Sequence, residues 1–267
     1  WFLTPSHLSV KIDGSPAIVW GKNPATGNHF VGTKSVFNKV KIKINESHDD
    51  IDKNHEDAVA EILHACFDYL PFTDHVIQGD FIGFGGSDTF TPNTLTYVFD
   101  ETVTEKIIIA PHTFYECEND LRDAVAHPME YFNIPSTEHV KMVQPKCWEV
   151  DEDFDEIVGF ARQMAQLVKF VDEKEAAKLR IELNKCIREG IDVVPDTFDN
   201  SMLISFWFLV KSIKDDVLFM CRNNGPKAYI GNKQCEGEGY VRSNEFGTYK
   251  LVNRYEFSRA NFNNMKA

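Results

Sequence analysis

Near the start of the chain, Val10-Lys11-Ile12-Asp13-Gly14-Ser15 sets a lysine and an aspartate two positions apart in an otherwise apolar, strand-like run. Alternate residues of a strand share a face, so Lys11 and Asp13 are expected on one side. A lysine amine is a nucleophile only when neutral, and its ordinary pKa is about 10.4. A neighbouring carboxylate favours the ammonium form, so attack needs a second cation or a bound metal close by. Without one, such a pair is a surface ion pair worth about 0–1 kcal/mol. Other residues with chemical potential follow: Lys34 in Gly32-Thr33-Lys34-Ser35, Asp80 in Gly79-Asp80, Phe99 in Tyr97-Val98-Phe99-Asp100, Glu238 in Glu238-Gly239-Tyr240-Val241, and Lys250 in Thr248-Tyr249-Lys250-Leu251-Val252. Each alone has an ordinary structural reading. Phe99 is one of 21 Phe and fits a core, Asp80 can open a turn before glycines, Glu238 can be a solvated loop carboxylate, and Lys34 belongs to a basic run with Lys39, Lys41 and Lys43. The acidic group Asp49, Asp50, Asp52, His55, Glu56 and Asp57 could hold a metal, but reads better as a solvated loop entering a helix N-terminus.

The chain that must position these groups has 267 residues, enough for one large domain or two small ones. With 43% hydrophobic and 12% aromatic residues it can bury a core. A net charge of -13, from 28 Lys+Arg against 41 Asp+Glu, argues against a generic basic nucleic-acid coat, though not against a locally basic groove. The six cysteines form no CxxC pair, which reads as reduced thiols in a cytoplasmic protein. The opening WFLTPSHLSV has no basic leader, and beginning at Trp1 suggests an excised domain or processed chain. The apolar run from Met202 to Val210 is too short to span a bilayer, so no membrane partner is expected.

The first third reads as β structure: a strand over Leu8 to Val19 with a break at Gly14, a turn at Asn23 to Asn28, and a returning strand at His29 to Lys34. Ser47 to Glu56 reads as a polar loop, and Ala58 to Tyr69 as a helix that Pro71 ends. Three strands are expected over His75 to Phe84, Thr94 to Phe99 and Lys106 to Tyr115. Apolar stripes predict two helices, one over Ile157 to Val171 and one over Leu179 to Ile187. A third should start at an Asn200 or Ser201 cap and stop before Asn223-Asn224-Gly225. Strands over Gly239 to Val241 and Thr248 to Val252 should rejoin the first sheet. This order predicts one α+β domain over 1–267, with antiparallel sheets and a helical insertion of about 151–222.

Taken together and in order, the short motifs resemble the covalent nucleotidyltransferases, the superfamily of ATP-dependent DNA and RNA ligases and mRNA capping enzymes. Lys11-Ile12-Asp13-Gly14 resembles the KxDG signature, and Gly32 to Ser35 the basic element after it. Gly79-Asp80 resembles the Gly-acid pair of the third motif, although that acid is more often Glu. Tyr97 to Asp100 resembles the strand whose aromatic stacks on the base, a role the Phe114-Tyr115 strand could also fill. Glu238 to Val241 resembles EGxV, and Thr248 to Val252 the strand that carries the fifth-motif lysine. The motifs span residues 11 to 250, nearly the whole chain.

That resemblance implies the fold of a ligase adenylation domain, with ATP and Mg²⁺, or alternatively Mn²⁺, as cofactors. Lys11 would attack ATP to form lysyl-AMP, and Lys250 would contact the α-phosphate and supply the second cation. Asp13 and Gly14 would line the ATP pocket, and Lys34 would reach ribose or phosphate. Asp80 would meet the ribose hydroxyls or the metal, and Phe99 would stack on adenine. Glu238 would hold a metal-bound water or the lysine. Pro16 stands where many members carry Arg or Lys, and a KxDGS followed by an apolar residue is similar to phage-type RNA ligases. RNA is therefore the expected partner ahead of DNA, in a host cytoplasm if the protein is viral. Val252 replaces the second lysine of a KxK motif, with Arg254 or Lys227 as substitutes. Residues 251–267 are too few for the OB-fold domain that follows in DNA ligases and capping enzymes. The other readings are a degenerate fold kept for binding, favoured by the acidic charge, and a nucleotidyltransferase with a non-nucleic-acid acceptor.

Overall fold

The computed structural model describes residues 2–129, 133–150, 153–194 and 199–264. Its architecture is mixed α/β, with several antiparallel sheets and six helices among the described residues. The chain divides into two compact units. One comprises Trp1–Val10, Lys146–Asn224 and Glu238–Ala267; the other comprises Lys11–Pro145 and Gly225–Gly237.

In chain order, β1 (His7–Lys11) precedes β2 (Ala17–Lys22) and β3 (His29–Gly32). Helices α1 (His48–Asn54) and α2 (Asp57–Tyr69) follow, then β4 (Val76–Phe84), β5 (Ser87–Phe90), β6 (Thr96–Val103), β7 (Ile107–Glu116), β8 (Val125–Pro128) and β9 (Val140–Met142). Next come β10 (Cys147–Glu149), α3 (Asp155–Leu167), α4 (Glu173–Glu189), α5 (Ser201–Met220) and β11 (Cys221–Asn223). The chain closes with β12 (Lys227–Ile230), β13 (Lys233–Cys235), β14 (Gly239–Asn244), β15 (Gly247–Val252) and α6 (Arg259–Asn264).

The larger unit is built on the sheet β3-β2-β4-β7-β8, with β9 parallel to β7. Its central strand β4 pairs antiparallel with β2, setting Ala17 opposite Asp80, and with β7, setting Ala110 opposite Asp80. One sheet face carries Ile18, Trp20, Ile77, Phe81, Ile107 and Ile109, against which α2 lays Ile62, Leu63 and Cys66. That is the apolar stripe expected of α2, and its burial is what holds an amphipathic helix in place. The opposite face carries a second apolar cluster at Val19, Phe30, Val36, Val76 and Leu121. The second sheet of this unit, β13-β12-β6-β5, recruits β12 and β13 from the far end of the sequence, with Lys227 opposite Val98.

In the smaller unit β1, β14 and β15 form a three-stranded sheet. Its core joins Val217 of α5 to Tyr240 and Leu251, with Leu8 and Val10 packed against it. Asn200 caps α5, its Oδ1 accepting from the Leu203 N–H at 3.0 Å. The nearly buried Arg242 donates through Nε to Glu149 Oε1 at 2.9 Å, so its charge is paired. No helix among the described residues is long and apolar enough to cross a membrane.

Three local expectations change. The single strand over Leu8 to Val19 is two strands in different sheets: Ser15 N–H and the Pro16 carbonyl bond to Phe81 of β4, and the segment between leaves the ladder. The last two strands accordingly join β1 in the order β1-β14-β15 and do not pair with the β2–β3 hairpin. Ser47 to Glu56 is not a loop but contains α1. Ser47 Oγ accepts the Asp50 N–H at 3.2 Å, and Asp50 Oδ2 accepts the Glu46 N–H at 3.2 Å, a reciprocal cap that starts a helix. Buried Ile51 then anchors it. Residues 151, 152 and 195–198 of the expected insertion lie outside the described residues.

Candidate functional site

The segment that follows β1 is held in place from two directions. Ser15 N–H donates to the Phe81 carbonyl at 2.9 Å, and Phe81 N–H donates to the Pro16 carbonyl at 3.0 Å. Gly14 lies so close to β4 that a Cβ there would stand 2.5 Å from the Phe81 carbonyl oxygen and 3.0 Å from Asp80 Cβ. Only glycine permits that approach. On the other side, Asp13 N–H donates to Tyr97 Oη at 2.7 Å, and Asp13 Oδ2 accepts from Asn93 Nδ2 at 3.0 Å. Because β1 ends at Lys11, strand alternation does not extend to Asp13, whose carboxylate reaches the residues before β6. Tyr97 is the residue sequence reasoning missed here; it was read only as the start of an aromatic motif. Tyr97→Phe leaves the Asp13 N–H without this acceptor and is expected to destabilise the protein by about 1 kcal/mol, read as a lower urea midpoint.

Asp80 sits in the middle of β4, on the face opposite α2, together with Gln78 two residues before it. Its side chain is 17% exposed, and His112 Nε2 lies 3.7 Å from Oδ1, beyond hydrogen-bond length. His112 Nδ1 is 2.7 Å from Thr113 Oγ1, and its Nε2 is 3.4 Å from Gln78 Nε2. A proton on Nδ1 leaves Nε2 as the acceptor for the Gln78 amide, the tautomer this network favours. Gln78, itself buried, accepts at Oε1 from the Tyr115 hydroxyl at 2.6 Å. Burial raises the Tyr115 phenol above its usual range, keeping it a donor. Tyr115 also packs on Phe37, with ring centroids 4.4 Å apart, so its ring is engaged within the protein. This row of Tyr115, Gln78, His112 and Asp80 was invisible as a motif. Its one sequence signal is the polar pair Gln78 and Asp80 on a single face of an apolar strand.

Phe99 is half-buried and packs edge-on against Phe90, with centroids 5.7 Å apart. Lys34 is exposed at the start of a short 3-10 turn, where Thr33 accepts the Ser35 N–H at 3.3 Å. Lys11, Asp13, Gly14, Lys34, Asp80 and Phe99 thus all belong to the larger unit, and among them Asp13, Gly14 and Asp80 converge around β4 and β6.

The remaining two candidates belong to the smaller unit. Glu238 immediately precedes β14 and is buried, which sets aside the solvated-loop reading. Lys250 is exposed on β15, opposite Val241. Beside it, the Val252 carbonyl accepts from Lys214 Nζ at 3.0 Å, while Arg254 Nη2 donates to Asn184 Oδ1 at 2.7 Å. The Val252 backbone is thus met by Lys214, while Arg254 is engaged by Asn184.

Thiol nucleophiles compete poorly here. Burial raises the Cys66 and Cys117 thiols, and burial together with Glu149 raises Cys147 to about 11 and Cys221 to about 12. The acidic group over residues 49–57 is divided by the helix caps, and no three His, Cys, Asp or Glu among the described residues are placed to hold a metal ion. No curated protein matches the chain, and no solved structure matches it. The chain belongs to a family described as a family of unknown function, DUF6267, whose model matches residues 4–194 and 159–266.

Proposed function

We propose that this member of a family of unknown function is an ATP-dependent polynucleotide ligase of the RNA-ligase type, with the nucleotidyltransferase fold and Lys11 as its nucleophile. One observation carries the reading. The Lys11–Gly14 and Gly79–Asp80 motifs, far apart in sequence, meet where Gly14 packs on β4. A resemblance made of chance matches has no reason to bring two of its elements within van der Waals contact.

In this reading Lys11 Nζ attacks the α-phosphorus of ATP. The P–N bond forms as the P–O bond to the β-phosphate breaks, pyrophosphate leaves, and the amine loses its proton. The AMP then passes to a 5′-phosphate end, and a 3′-hydroxyl displaces it to seal the strand. Asp13 is fixed by Tyr97 and Asn93, so the segment after Lys11 is held before nucleotide arrives. Asp80 fits a magnesium ligand: a mostly buried carboxylate whose nearest cation-forming neighbour stands 3.7 Å away. Mg²⁺ bound there would neutralise phosphate charge. Phe99 would stack on adenine, and Lys34 would reach ribose or phosphate. Pro16 after KxDGS favours RNA over DNA as the partner.

Incubation with α-labelled ATP and Mg²⁺ tests this. Acid-labile label on the protein from ATP, and not from GTP run in parallel, is the expected outcome. Absence of label with a raised melting temperature in ATP would identify a nucleotide-binding protein and overturn the ligase reading.

A further inference from the structure

On the outer surface of α1 and α2, in the larger unit, two helices each carry a His and an Asp one turn apart. These are His48 and Asp52 on α1, and His64 and Asp68 on α2. The pairs are crossed. His48 Nε2 lies 3.0 Å from Asp68 Oδ1, and His64 Nε2 lies 2.9 Å from Asp52 Oδ1. The two Nδ1 atoms face each other at 2.7 Å. The rings are nearly parallel, with centroids 5.0 Å apart, and Phe67 packs edge-on against His48 at 5.1 Å.

The donor arithmetic of this arrangement is restrictive. Each Nε2 faces a carboxylate and so carries its hydrogen there. What remains on the two rings is a pair of Nδ1 positions pointing at one another, with room for a single electrophile between them. A proton can fill that place, making one imidazole a cation. Without any electrophile, two lone pairs would oppose each other at hydrogen-bond distance. Two neutral imidazoles converging through one nitrogen, each donating its other N–H to a carboxylate, is also the outer-shell arrangement that orients histidines around a metal.

We propose that His48 and His64 form a binding site for a first-row divalent cation that favours imidazole nitrogen, of the Zn²⁺, Co²⁺, Ni²⁺ or Cu²⁺ class, with Asp52 and Asp68 as its orienting carboxylates. Zn–N bonds of about 2.0–2.1 Å at a tetrahedral angle need an N···N separation of about 3.3 Å. The 2.7 Å spacing must therefore widen by about 0.6 Å. The side chains are 47% and 30% exposed, so small ring rotations can supply that. Two carboxylates match the two charges of the ion. No third His, Cys, Asp or Glu among the described residues converges with them, so water completes the coordination. Mg²⁺ and Ca²⁺, which take oxygen ligands, are poor fits. The site uses none of the residues assigned to adenylylation and stands independently of that reading.

Calorimetric titration of Zn²⁺ into the metal-stripped full chain tests it, with a His48→Gln/His64→Gln double variant as reference. That reference carries the same six free thiols and the other histidines. Wild type should bind one more Zn²⁺ than the double variant, and millimolar Mg²⁺ should not displace it. Asp52→Asn and Asp68→Asn should each weaken that extra site about 10–100-fold while leaving its stoichiometry intact. Near-UV circular dichroism of each variant reports whether its fold survives, and the Asp→Asn pair answers the question if the double variant misfolds. Equal Zn²⁺ stoichiometry in wild type and a folded double variant, or affinities unchanged by both Asp→Asn substitutions, would overturn the proposal.

Discussion

Lys11→Ala is expected to lose self-adenylylation by at least ~10³-fold while its melting temperature stays near that of wild type. Lys11 is only half-buried and ends a strand, so removing its amine opens no core cavity. In the proposed reaction, by contrast, the nucleophile has no substitute. Binding and electrostatic stabilisation without it leave only the background reaction. Lys11→Arg should fail equally, because a guanidinium keeps the charge but stays protonated at any working pH. Quantified label per mole of protein, measured beside a thermal melt, separates this from unfolding. Equal labelling of Lys11→Ala and wild type would assign the chemistry elsewhere.

Gly14→Ala is expected to be nearly as damaging, for a steric reason. A Cβ at Gly14 would meet the Phe81 carbonyl oxygen at 2.5 Å and Ile82 Cδ1 at 2.9 Å. Backbone cannot yield as a side-chain tip can, so the segment must lift from β4. That also loosens the Ser15 N–H bond to the Phe81 carbonyl. Overpacking of this kind costs about 1–3 kcal/mol. The larger consequence concerns Lys11, three residues away: a displacement of about 1 Å at a reacting group lowers rate by about 10²-fold. Gly159→Ala is the control. It makes the same change inside α3, where an added Cβ meets nothing within 4 Å, and should leave labelling untouched. Wild-type rates and an unchanged melting temperature for Gly14→Ala would show that the close approach is not what positions the segment.

The long, periodic elements were legible in the amino-acid sequence. The α2 stripe at Ile62, Leu63 and Cys66 and the Asn200 cap of α5 are local signals, and local signals survive without knowledge of partners. Helix α1 was not legible, because Ser47, Asp49 and Asp50 read equally well as a polar loop until the Ser47–Asp50 cap is seen. Strands β5, β12 and β13 are three or four residues each, too short for a period to register. The site followed the same division. Lys11, Asp13, Gly14 and Asp80 are candidates that short motifs single out, and motif spacing is local. Tyr97 and His112 were not, because their roles depend on which strands lie side by side. Asp13 reaches Tyr97 across 84 positions and Gln78 reaches His112 across 34, and no residue pattern announces such pairings. The His48–His64 pair is an intermediate case. Its His-to-Asp spacing of one helical turn was present twice, but it carries meaning only once α1 is known to be a helix.

Peptide mapping of the protein after incubation with ATP and Mg²⁺ tests the central claim most directly. One acid-labile AMP adduct is expected, carried by the peptide that contains Lys11 and absent from Lys11→Ala. An adduct on any other residue, or none under conditions where the protein is folded and ATP is bound, would contradict it.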